Sequence, residues 1–168
     1  MSFIEKPPIE SRDLVFINGG GLPFGSMYGD AIAYNLAGGA TGAGTWYQID
    51  DAGCVDGKLH NVTHDGEGKL TVTYAGHYLV TSMVALESNA ADDHIETGIE
   101  VNTSGTAVAG CHGHLQTKFG GEEEAITTVT ILDLAAGDTL EVSARSTDGG
   151  SVITVDHVSL NCVMIGGT

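Results

Sequence analysis

The chain's strongest constraint is its rhythm. Short apolar or alternating runs are each closed by glycine or by Asn/Asp, and apolar residues never recur at helical spacing over a useful window. Residues 45–49, 70–74, 77–86, 96–101, 107–117, 125–132, 139–144 and 152–165 all read as strands. The 25 glycines, about double the ordinary share, supply the turns between them. The last two runs flank Asp148-Gly149-Gly150 and read as a closing hairpin. Many short strands at this spacing build a sandwich, jelly roll or barrel, and 168 residues are enough for one such domain with a real core. The expected fold class is therefore all-β, an antiparallel β-sandwich.

Two strands say more. In 78–86, Tyr78, Val80, Val84 and Leu86 share a face, and Leu79, Met83 and Ala85 share the other. In the last strand, Val158, Leu160, Cys162 and Met164 lie opposite Val163 and Ile165. A half-buried antiparallel strand has one polar face, whereas these strands have two apolar ones. The second face therefore needs a cover, and in a two-layer sandwich that is another subunit, with a loop or the N-terminal arm as the alternative. Tyr78, Val80, Val84, Leu160, Cys162 and Met164 are accordingly candidates for core or for an oligomer interface.

Residues 1–25 read as an extended arm ahead of a domain at 26–168. Pro7-Pro8 favours extended backbone, and Leu14-Val15-Phe16-Ile17 precedes a glycine-rich loop. Phe3, Ile4, Leu14 and Phe16 are its candidate docking residues. The first residues carry no apolar stretch of the kind that directs secretion, and no run is long enough to cross a membrane. The chain is expected to stay where it is made, or to leave by lysis or specialised export.

A net charge of −16 with six Lys and Arg repels phosphate backbones and anionic lipid, so neither nucleic acid nor membrane is an expected partner. Cys54, Cys111 and Cys162 are odd in number and lack CxxC spacing, which argues against a disulfide framework or structural zinc. His112 and His114 share a strand face and could reach one ion, six nitrogens if repeated about a threefold axis. Asp92, Asp93 and Glu96 could offer oxygens to calcium. The plainer reading of both sets is polar side chains facing solvent or a subunit boundary, and no cofactor is expected. Segments 53–59 and 66–70 lack phosphate-loop spacing and read as turns, and 38–44 opens no helix, so there is no dinucleotide fingerprint. No G-x-S-x-G elbow is present, and Asp156 and His157 point to opposite faces of a strand. The chain is not expected to be an enzyme; a metal-dependent jelly-roll enzyme would need a histidine cluster.

Several segments together resemble the jelly rolls of the C1q/TNF-like family. Ala75-Gly76-His77-Tyr78-Leu79-Val80 resembles its "AG-x-Y-x-V" strand, and Gly98-Ile99-Glu100-Val101-Asn102 its "G-I-x-V-N" strand and turn. The run from Leu132 to Leu140, with Gly137-Asp138 at its turn, is similar to "L-x-L-x-x-G-D-x-V", and 153–160 to the last strand. The resemblance spans about 45–166, and the order of the elements is its specific part. It implies a trimer whose apolar faces meet on a threefold axis. Without a Gly-X-Y repeat, the chain looks closest to versions found in tailed-bacteriophage structural proteins. The resemblance thus implies a homotrimeric capsid decoration protein at the virion surface, made in the host cytoplasm. Its partner would be the major capsid protein or another virion protein, gripped by the arm. The alternative is a receptor- or glycan-binding tip recognising through loops 87–94 and 120–124; a single domain with a short arm favours decoration.

Overall fold

The computed structural model describes residues 21–167 as two antiparallel sheets. The strands are β1 (Phe24–Ala40), β2 (Tyr47–Gln48), β3 (Cys54–His60), β4 (Val62–His64), β5 (Leu70–Val72), β6 (Gly76–Ser88), β7 (His94–Val101), β8 (His112–Gln116), β9 (Glu123–Leu134), β10 (Thr139–Ser146) and β11 (Val152–Gly166). The first sheet has the order β3-β1-β11-β6-β9 and the second β4-β5-β10-β7-β8, with β2 also paired to β10. Consecutive strands mostly alternate between sheets, so each layer is assembled from distant parts of the chain.

The core lies between the layers. From the first sheet come Met27, Tyr78, Val80, Val84, Leu160, Cys162 and Met164; from the second come Leu70, Ile95, Ile99, Leu140, Val142 and Ala144. Removing each large side chain from water contributes about 1.5–3 kcal/mol. The six residues left open between core and interface are thus all core, and their period-2 partners point outward. Gly76 has to be glycine because a Cβ there would stand 2.6 Å from the Gly166 carbonyl oxygen and against Met164. Gly137, with φ of +90°, makes the turn into β10, where Asp138 accepts the Ala135 N–H at 2.8 Å.

Three expectations are corrected. The runs 139–144 and 152–165 are not a hairpin: β10 pairs with β7, β5 and β2, whereas β11 pairs with β1 and β6 in the opposite sheet. The turn between them crosses the sandwich, because both runs carry a core face and each needs the other sheet to cover it. Of residues 53–59, all but Gly53 belong to an edge strand rather than a turn; Gly57 there admits Ser26, whose hydroxyl accepts the Lys58 N–H at 2.9 Å. Of 45–49, only Tyr47–Gln48 pairs as strand.

β1 escapes a period-2 reading because it is bulged. Its register with β11 shifts between Asp30 and Tyr34 and again between Asn35 and Ala40. Ala31, Ala33 and Ala37 take left-handed φ of 53°, 50° and 62° there. Such a conformation costs about 1–2 kcal/mol per non-glycine residue. The arm candidates Phe3, Ile4, Leu14 and Phe16 lie outside the described residues.

One polar group ties the layers together. Asp93, buried just before β7, accepts the hydroxyls of Ser88 (2.8 Å), Ser146 (2.6 Å) and Ser151 (2.5 Å), and its N–H reaches Thr117 Oγ1. Ser88 ends β6 and Ser151 precedes β11 in the first sheet, while Ser146 ends β10 in the second. The carboxylate therefore staples both sheets where the chain crosses between them.

Candidate functional site

The outer face of the first sheet carries an apolar row set by strand register. Phe24 stands opposite Val163, Val163 opposite Leu79, and Leu79 opposite Ile131, crossing β1, β11, β6 and β9. Around this row lie Tyr28, Val55, Met83, Val129 and Ile165, all exposed. Val129 and Ile131 are 61% and 60% exposed on the outermost strand. Isolated exposed apolar side chains are ordinary on a soluble domain; a row spanning four strands is a surface that gains by being covered. Histidine–aspartate contacts bound it, His77 with Asp133 at one end and His157 with Asp30 at 2.7 Å at the other. Sequence reasoning found the second apolar face on β6 and β11 but missed Phe24, Val129 and Ile131. Their signal is the even spacing of Val129 and Ile131 among threonines.

The second sheet's outer face is polar. His112 and His114 are exposed on β8, the edge strand, as neighbours on one face. Trp46 meets the His112 ring edge-on at 6.4 Å, and the Arg145 guanidinium sits 4.6 Å above the indole. Arg145 also holds Glu96 at 2.6 Å, which commits that carboxylate. Asp93 faces its three serines inward, and Asp92 is exposed with φ of 58°. The structure thus separates Asp92, Asp93 and Glu96 instead of gathering them. Among the described residues no three His, Cys, Asp or Glu side chains converge in a metal-binding geometry. His157 pairs with Asp30 across the sheet and not with its neighbour Asp156.

Cys54, Cys111 and Cys162 are buried and unpaired with one another. Burial pushes the Cys162 thiol up to about 11. Burial, followed by the negative charge of Asp51, does the same for Cys54. Neither is poised as a nucleophile.

At one end of the sandwich the two loops expected to be exposed come together. Gly121 N–H donates to the Ser88 carbonyl at 2.7 Å, and Asp92 N–H to the Thr117 carbonyl at 2.8 Å. Between them Phe119 stands 69% exposed beside Glu122 and Glu123. Nearby, His94 donates to Asp148 from both ring and backbone, which holds the Asp148 carboxyl below its ordinary value. Recognition loops are commonly carried on a rigid frame like the one Asp93 provides.

No family model matches this chain, and no curated protein matches it. Among solved structures, that of Eiger TNF from S. frugiperda superposes with a TM-score of 0.54, covering 87% of this chain and 95% of that one. The fold is a TNF-like jelly roll. Sequence identity is 16%, so the likeness is one of fold and carries no assignment of activity. It agrees with the jelly-roll architecture that the order of motifs between 45 and 166 implies.

Proposed function

We propose that this chain is a non-enzymatic structural protein of a tailed bacteriophage, a homotrimer that decorates the capsid surface by binding the major capsid protein or another virion protein. The observation that carries the assembly is the Phe24–Val163–Leu79–Ile131 row with its apolar surroundings. A sandwich already has its core between the sheets, so a second apolar face gains only from a further layer, and copies of the same chain are the simplest source. A closed ring of three covers all such faces. His112 and His114 then lie on the far side of each sandwich, away from the axis, so they do not form a shared six-nitrogen site.

The phage assignment rests on the sequence resemblance to virion proteins, and it is tested separately. Light scattering on the full chain should give three times 17.3 kDa. Purified chain added to undecorated shells should then co-sediment with them. A monomer removes the assembly; a trimer that leaves every shell bare removes the decoration role. A second reading, a receptor- or glycan-binding tip, is favoured by Phe119 and the loops around it, and it predicts binding to host cells instead of shells.

A further inference from the structure

Glu100 on β7 and Glu141 on β10 are direct partners across the second sheet. Their side chains share its outer face, yet Glu100 is 0% exposed and Glu141 only 4%. Loop 102–106 accounts for this, since the Gly105 N–H donates to Glu100 Oε2 at 2.9 Å and the Thr103 hydroxyl to Glu141 Oε1 at 2.6 Å. Facing positions on antiparallel strands bring side chains close, and like charges placed there repel. Among the described residues the one cation paired with either carboxylate is Lys69, whose ammonium lies 3.5 Å from Glu141 and is a third exposed. Two carboxylates against one ammonium leave a buried negative charge uncompensated. The other Glu100 oxygen, Oε1, is buried and has no hydrogen-bond partner among the described residues. Buried carboxylate oxygens of native proteins are nearly always met by a donor, a water or an ion.

We propose that Glu100 and Glu141 bind a calcium-class divalent cation beneath loop 102–106. Every candidate donor is a hard oxygen: the two carboxylates, with the hydroxyls of Thr103 and Thr139, the latter 3.3 Å from Glu141. That set suits calcium, which accepts irregular oxygen shells, and not a transition metal, which selects nitrogen or sulfur. The ion supplies the missing positive charge, gives Glu100 Oε1 its partner and releases Lys69 toward solvent. The site is independent of the proposed assembly, because it lies on the sheet opposite the apolar row.

The test is a calcium chloride titration of the full-length chain by calorimetry, in enough sodium chloride to screen the acidic surface. One saturable site per chain is expected, with a calcium-dependent rise in the thermal midpoint. Glu100→Gln should weaken that site by about tenfold or more. Lys69→Met, which leaves both carboxylates and the fold in place, should tighten it by removing the competing ammonium. Absence of a saturable site in the parent chain overturns the proposal, as does a Glu100→Gln chain that binds like the parent. Should Glu100→Gln fail to fold, unchanged or weaker binding by Lys69→Met overturns it alone.

Discussion

Replacing Asp93 by alanine removes the one acceptor shared by Ser88, Ser146 and Ser151. Hydrogen bonds to a charged group contribute about 1.5–3 kcal/mol each, so the three together reach about 4.5–9 kcal/mol before any cost is subtracted. Two terms reduce that. Burying a carboxylate costs several kcal/mol, which the substitution recovers. In addition, the Ser88 and Ser146 oxygens keep the N–H groups of Ala90 and Gly149, at 3.2 and 2.8 Å, so they are not left wholly unpaired. The expected loss is about 3–5 kcal/mol, a large share of a domain stability of about 5–15 kcal/mol. Asp93→Asn keeps the shape and one acceptor oxygen, and its amide can donate to hydroxyls that reverse; it should lose about 1–2 kcal/mol. Urea unfolding followed by the fluorescence of Trp46, at fixed chain concentration, measures both. An Asp93→Ala chain within about 0.5 kcal/mol of the parent would refute the staple, since surface changes lie in that range.

Ile131→Asp should abolish the proposed trimer, leaving a folded monomer by light scattering, because the side chain is exposed in the single chain; a trimer of unchanged mass would place the interface elsewhere. Gly76→Ala should destabilise by about 1–3 kcal/mol in the same urea assay, because the new methyl meets the Gly166 backbone carbonyl, which cannot turn aside. Burial works to raise the Asp65 carboxyl, but the N–H groups of Glu67, Gly68 and Lys69, together with His64, outweigh it and hold it below its ordinary value. Its contribution is therefore complete above the ordinary aspartate range and disappears as pH falls through the depressed value; Asp65→Asn should flatten that part of the acid-unfolding profile.

What the sequence shows and what it hides divide along physical lines. A run with strict alternation, such as 70–74, is legible because burial on one face writes itself into period 2. β1 is illegible because bulges at Ala31, Ala33 and Ala37 break that period. β3 is illegible because an edge strand that contains Gly57 and follows Gly53 has the composition of a turn. The false hairpin between β10 and β11 has a different cause. Short sequence separation implies pairing only when no second sheet competes for the same apolar faces. The candidate surfaces follow the same rule: Met83 and Val163 were visible from their own strands, whereas the row joining Phe24 to Ile131 exists only through register across four strands. Glu100 and Glu141 are far apart in sequence, and neither reads as buried until loop 102–106 is seen above them.

The position of β11 also bears on how the chain reaches this structure. The last strand lies in the middle of the first sheet, between β1 and β6, and pairs Val163 with Phe24. Until it arrives, β1 and β6 have no neighbour between them. A ribosome must release nearly the whole domain before its central ladder can close, and contacts so distant in sequence form slowly. During that interval two apolar strand edges stand open, which makes synthesis the period of greatest aggregation risk. Expression at lower temperature, which weakens hydrophobic association between the open edges, should therefore raise the soluble yield.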